Sequence, residues 1–174
     1  MLPENLKIIK AGIEHVTPLA TLSIATFRDT FGPHNKKEDM DKYIAEELNA
    51  AKLAGEIMHS ENIFFLAWHN DRLAGYAKLS NNNIPMELTN NNPIEMERIY
   101  VLQEYQDKKI GASLMKHCIE HAQGKQHDIL WLGVWEHNYK AVEFYKQWGF
   151  EIFGSHLFIL GNDHQTDVLM KKYL

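Results

Sequence analysis

Cysteine is nearly missing from this chain: Cys118 is the only one among 174 residues. A lone cysteine excludes an internal disulfide and an all-cysteine zinc site, so nothing calls for an oxidising compartment and a cytoplasmic setting is expected. Long apolar runs are missing too. No stretch approaches the roughly 18 consecutive apolar residues of a membrane span. The opening MLPENLKIIKAG lacks a basic segment followed by an apolar one, so neither a membrane partner nor a targeting signal is expected. Positive charge is not in excess. The 18 Lys and Arg stand against 23 Asp and Glu, and a net charge of -5 offers no broad attraction for a phosphate backbone, which sets nucleic acid aside as a partner. Asn-x-Ser/Thr sequons and internal repeats are absent, as are low-complexity tracts beyond two short asparagine runs.

What is present is ordinary for a globular protein: 45% hydrophobic and 24% charged residues. The length suits a single domain over residues 1–174 with a sizeable core. LKIIK reads as a strand, and Thr17-Pro18 has the chemistry of a helix start. A first helix is predicted over about residues 18–30, with Leu19, Leu22, Ile24 and Ala25 near helical spacing, Phe27 and Phe31 extending the pattern and Gly32-Pro33 ending it. KKEDMDKYIAEELNAAKLAGEIMH predicts one further helix over about residues 37–59.

NIFFLAW and RLAGYAKLS read as two antiparallel strands joined by a hairpin turn at Asn70-Asp71. NNNIPMELTNNNP reads as a surface loop. IEMERIYVL predicts a strand, QEYQDKK a turn, and IGASLMKHCIEHAQGK a helix stopping at Gly124. DILWLGVW has the continuous apolar character of a strand buried on both faces, and Asn138 can cap the helix YKAVEFYKQW, which ends at Gly149. FEIFGSHLFIL and TDVLMKKYL are the last strand candidates. The order β-α-α-β-β-β-α-β-α-β-β predicts an α/β chain with a mixed sheet and helices on both faces.

The segment IYVLQEYQDKKIGASL places Gly111 and Ala112 at the opening of a helix. There, free backbone N–H groups and the helix dipole favour an anion such as a pyrophosphate, and small residues let it approach. An ordinary strand-to-helix turn with small packing residues is the alternative. The Gly-Lys-Ser/Thr of a P-loop and the three glycines of a dinucleotide fingerprint are both missing.

At the right distance follows WLGVWEHNYKAVEFYKQWGF, with Asn138, Ala141, the Phe144-Tyr145 pair and Gly149-Phe150. Together the two segments resemble the GNAT family of acetyl-CoA-dependent N-acetyltransferases, whose pyrophosphate loop reads Arg/Gln-x-x-Gly-x-Gly/Ala and whose next unit reads Asn-x-x-Ala-x-x-Phe-Tyr. TFRDTF, ERIYVL, WLGVWEHN and the tail GSHLFILGNDHQTDVLMKKYL resemble more narrowly the bacterial PaiA-type spermidine/spermine N-acetyltransferases. The resemblance implies the acyl-CoA N-acyltransferase fold: a mostly antiparallel central sheet with one parallel, splayed pair. One position departs from the pattern. Across Gln106, Asp107, Lys108, Lys109, Ile110, Gly111 and Ala112, the family's first glycine is replaced by Lys109. A negative φ is expected there, with the lysine's charge helping to neutralise a phosphate.

The resemblance also implies direct transfer, with acetyl-CoA as donor, an amine as nucleophile and Tyr145 protonating the departing thiolate. An ammonium must first lose a proton, and a carboxylate near the acetyl group can take it. Glu97 is the first candidate. Strand period two would put it on the face of Val101, and Glu95 shares that parity as the reserve. Backbone groups of Ile99, Tyr100 and Val101 are implied to hold the pantetheine arm, with Asn138 helping. Glu87, Glu95 and Glu97 make an acidic approach that favours a small amine substrate, a polyamine above all. Phe31 and Trp135 are aromatic candidates for the amine site, with core packing as the alternative.

His117-Cys118-Ile119-Glu120-His121 matches the letters of the inverted zincin motif H-x-x-E-H. The same helix opens at the phosphate turn, however, and no metal is expected. Cys118 reads as a small buried hydrophobe. The rival function is a non-catalytic acyl-CoA-sensing module, and within enzymes a peptide or antibiotic acetyltransferase. A homodimer is expected as a base rate for small cytosolic enzymes.

Overall fold

The computed structural model describes residues 3–160 and 163–174. Strand β1 (Leu6–Lys10) is followed by a short 3-10 turn and helix α1 (Val16–Phe31). That helix starts two residues ahead of the predicted boundary, with Pro18 still inside its first turn, where a missing N–H costs nothing. The single helix expected over residues 37–59 is two: α2 (Lys37–Glu47) and α3 (Ala50–Met58). Asn49 makes the break. Its side chain accepts from Lys52 N–H at 2.8 Å, and this cap starts a new helix instead of continuing the old one.

Strands β2 (Asn62–His69) and β3 (Arg72–Ser80) form the expected hairpin. Asn70 and Asp71 both take positive φ, at 50° and 59°, as a two-residue turn matched to strand twist requires. Then come β4 (Pro93–Val101), α4 (Ile110–Gly124), β5 (Ile129–Trp135), α5 (Tyr139–Gln147), β6 (Glu151–Leu160) and β7 (Asp163–Tyr173). Asn138 caps α5 by accepting from Ala141 N–H at 3.2 Å, and Gly149, at φ 84°, turns the chain away after it.

The seven strands run β1-β2-β3-β4-β5-β7-β6, and every neighbouring pair is antiparallel except β4 and β5. Helices cover both faces. On one, Ile110, Leu114, Met115 and Cys118 of α4 and Val142 of α5 pack on Ala77, Leu79, Met96 and Leu132. On the other, Leu19, Leu22 and Leu53 of α1 and α3 pack on Phe64, Leu66 and Tyr76, each fully buried aliphatic side chain contributing about 1.5–3 kcal/mol.

Two irregularities interrupt the middle of the sheet. Lys78 pairs with Arg98 while the next residue, Leu79, pairs with Met96, so Glu97 is the extra residue of a β-bulge. The parallel pair extends only over Pro93–Glu95 against Ile129–Trp131, and beyond it β4 and β5 separate. A bulge bends its strand and interrupts the ladder, and this one lies where the two strands part.

Candidate active site

The parting of β4 and β5 opens a cleft of about 610 Å³ that reaches both helical layers, from Gly111 and Tyr145 on one side to Phe27 and Tyr43 on the other. Past Glu95 the edge of β4 that faces β5 has no strand partner among the described residues, and Ile99, Tyr100 and Val101 lie along the cleft. Main-chain groups there can pair with an extended ligand as a further strand would.

At one end lies the start of α4. Its first helical bond is from Ser113 N–H to Lys109 O at 3.0 Å, and no side chain among the described residues caps the helix. The N–H groups of Ile110, Gly111 and Ala112 are therefore left for an anion at the positive end of the dipole. A Cβ on Gly111 would find nothing nearer than Val101 Cγ2 at 3.7 Å, so this glycine keeps open space that the protein itself does not fill. Lys140 Nζ donates to Gln106 Oε1 at 2.9 Å, and both residues line this end.

The other side is aromatic and acidic. Phe31 and Trp135 stand 6.3 Å apart between ring centroids, and Phe27 stacks on Tyr43 at 4.7 Å. Glu95 projects into this part of the cleft. It is 9% exposed, and its Oε2 is buried with no hydrogen-bond partner among the described residues. Burial, reinforced by the charge of Glu97, pushes its carboxyl up to about 7 against the pull of Lys78 and Arg98. Asp167, at the β7 side, is also lifted by burial, while His156 beside it at 3.6 Å pulls the other way.

Glu97 is placed differently. Its carboxylate is ion-paired with Lys78 Nζ at 2.7 Å and with Arg98 Nη2 at 3.3 Å. Both cations are also held by Glu56 of α3, at 3.3 Å and 2.8 Å, in a mostly buried group of two acids and two bases. Across from Glu97, the Tyr145 hydroxyl sits on a residue that is 8% exposed, and burial drives its phenol far above the usual range. The phenol therefore keeps its proton at neutral pH.

The acetyltransferase (GNAT) family model matches residues 23–150, from α1 through α5. The chain belongs to that family. It is 37% identical over 170 residues to an uncharacterized N-acetyltransferase of Lactobacillus delbrueckii subsp. lactis, covering 98% of each chain. It is 25% identical over 154 residues to a spermidine N(1)-acetyltransferase of Thermoplasma acidophilum, covering 85% of this chain and 89% of the relative. Among solved structures, the PaiA N-acetyltransferase of Thermoplasma acidophilum in complex with coenzyme A superposes with a TM-score of 0.80 at 24% identity, over 97% of this chain and 99% of that one.

For a GNAT acetyltransferase the donor is acetyl-CoA, and the uncapped α4 start, the open space at Gly111 and the unpaired β4 edge suit its pyrophosphate and pantetheine. Of the residues expected there, Ile99, Tyr100, Val101, Gln106, Gly111 and Asn138 line the cleft. Asp107, Lys108 and Lys109 are exposed and lie off its wall, the Lys108 ammonium resting 4.7 Å over the Tyr105 ring. Ile110 gives its side chain to the core, and Ala112 contributes only as part of the helix start. The expected negative φ at Lys109 is overturned: φ is 57°, a left-handed turn that the chain needs in order to swing from the 3-10 turn at residues 103–108 into α4. Phe31 and Trp135 both line the aromatic side of the cleft and also pack in the core cluster there.

Strand parity does not carry through to Glu97, because the bulge shifts it. Glu95, Arg98 and Tyr100 pair with Ser80, Lys78 and Tyr76 and share one face, whereas Ile99 and Val101 pair with Ala77 and Gly75 and share the other. Glu95 and Glu97 therefore both reach the Tyr100 side, not the Val101 side. His117 and His121 rest their rings against Phe65, at 4.5 Å and 5.2 Å. Cys118 is buried, with burial pushing its thiol up to about 12. The Glu56, Lys78 and Arg98 group and the Asp167–His156 pair escaped the sequence reading. Only Gly133, a glycine inside the apolar run WLGVW, hinted that something must pass close to β5.

Proposed function

We propose that this acetyltransferase acetylates a primary amine of a polyamine such as spermidine or spermine, with Glu95 as proton acceptor and Tyr145 as proton donor. One observation carries the reading: a buried carboxylate oxygen on Glu95 with no hydrogen-bond partner among the described residues, facing a cleft walled by aromatic rings. A buried unpaired carboxylate is costly, and an ammonium supplies the missing partner, while aromatic faces attract the same cation. The spermidine-acetylating relative agrees in substrate class.

Acetyl-CoA supplies the activated acetyl group. Glu95 takes a proton from the acceptor's ammonium and leaves a neutral amine next to it. Glu95 suits this task better than Glu97, because it is near neutrality while Glu97 is held by two cations. Tyr145, across the cleft, gives its proton to the thiolate as the C–N bond forms and the C–S bond breaks; the attacking nitrogen's remaining surplus proton passes to solvent, which also reprotonates Tyr145 and takes the proton held by Glu95. The N–H groups at the start of α4 and the edge of β4 fix the donor, so the amine meets it in one orientation.

The test is thiol release from acetyl-CoA by the purified protein with spermidine, spermine, an amine antibiotic and short peptides. Turnover with the polyamines is expected, with kcat falling by about 100-fold or more in Tyr145→Phe when chemistry limits the rate. Turnover with peptides alone would move the acceptor class. Tight acetyl-CoA binding without turnover on any amine would make the protein a sensing module.

A further inference from the structure

Resting on the reading of an amine acceptor, we propose that Asp167 is a second cation-binding position of the acceptor cleft, reached from Glu95 past Gly133, so that the favoured acceptor is a long polyamine and not a short diamine. The three residues share one face of the sheet. Glu95 stands opposite Trp131 across the parallel pair, Gly133 is two residues further along β5, and Asp167 stands opposite Trp135 on β7. All three line the cleft.

Gly133 is what keeps the path open. A Cβ there would lie 3.5 Å from both Asp167 Oδ2 and His156 Nε2, so the pair stands directly over this glycine, and any larger side chain would fill the passage. Among the described residues the ionic partner of Asp167 is His156, which is half-exposed, 3.6 Å away and charged only when protonated. The other cations of the cleft are engaged: Arg98 by Glu56 and Glu97, and Lys140 by Gln106. An incoming ammonium therefore meets one carboxylate oxygen at Glu95 that has no hydrogen-bond partner among the described residues, and one weakly partnered carboxylate at Asp167, with Trp135 and Phe158 also lining the cleft.

The spacing sets the length. Glu95 and Asp167 are two strand spacings apart across the sheet and four residues apart along it, about 10 Å by about 13 Å between backbones. The two nitrogens of a short diamine cannot reach both carboxylates, whereas the terminal nitrogens of an extended triamine or tetramine can approach them together.

The experiment measures KM for spermidine and for n-hexylamine, which carries one charge, in the wild type, Asp167→Asn and Asp167→Glu, with kcat recorded for each. The ratio of the spermidine KM to the hexylamine KM is expected to rise about tenfold or more in Asp167→Asn, from loss of one charge-assisted contact, and to stay within threefold in Asp167→Glu. Calorimetric titration of spermidine into the CoA complex should show the same loss of affinity. A ratio within threefold of wild type in Asp167→Asn, or an equal rise for both amines, overturns the assignment of Asp167 while leaving the polyamine activity in place. A wild-type protein with no turnover on any amine overturns both.

Discussion

Glu95 gains its chemistry from what surrounds it. A carboxyl that ordinarily titrates near 4.5 is held at about 7 because burial and the neighbouring Glu97 charge outweigh Lys78 and Arg98. The base must be ionised to accept a proton, so kcat/KM is expected to rise with pH through about 7 and then level. A bound ammonium favours the carboxylate, so the corresponding limb in kcat should lie at lower pH than the limb in kcat/KM. Glu95→Gln is expected to lower kcat by about 100- to 10,000-fold and to erase that acidic limb, which a pH series with saturating spermidine reads directly. The sign for stability is the reverse. The folded protein binds this proton more tightly than the unfolded chain does, so the residue's contribution to stability falls as pH rises from about 4.5 to 7.

At the scale of elements, helix starts and strand irregularities decide the site. Lys109 is held at φ 57° as the residue before α4, a conformation that costs an L-residue about 1–2 kcal/mol. Glycine relieves that strain but has more freedom to lose on folding, so Lys109→Gly should stabilise by about 0.5–1 kcal/mol, a rise of about 1–4 °C in Tm. Since Lys109 lies off the cleft wall, the Kd for acetyl-CoA should stay within about twofold, as calorimetry would show. The same scale separates what the sequence made legible from what it did not. Asn138, Gly149, the Asn70-Asp71 turn and the buried run of β5 announce themselves because cap, turn and burial chemistry are local. The break at Asn49 was hidden inside a strongly helical composition. The bulge at Glu97 was hidden because a bulge depends on the register of a partner strand, and that single extra residue put Glu97 on the wrong face in a period-two reading. The pairing of Asp167 with His156 depends on a hairpin register and leaves no mark on local sequence.

Across the whole molecule, one buried charge group joins the helical layer to the sheet beneath the cleft. Glu56 comes from α3, Lys78 from β3, and Glu97 and Arg98 from β4; Lys78 and Arg98 are 3% and 9% exposed. Two acids and two bases balance, so the group is neutral as built. Replacing Glu56 by Gln leaves one positive charge uncompensated in the interior, and breaking one side of a buried pair costs about 3–5 kcal/mol. For a chain of this length that is a fall of about 6–20 °C in Tm, measurable by thermal denaturation. Glu56 does not line the cleft, yet its loss should be felt there. Lys78 and Arg98 already pull the Glu95 carboxyl downward, and without Glu56 that pull is less opposed. The acidic limb of kcat/KM should therefore move to lower pH in Glu56→Gln, while a stability change of equal size made far from the cleft leaves the limb where it is. A profile that did not move, in a variant destabilised as expected, would show that the charge group holds the layers together without setting the proton affinity of the base.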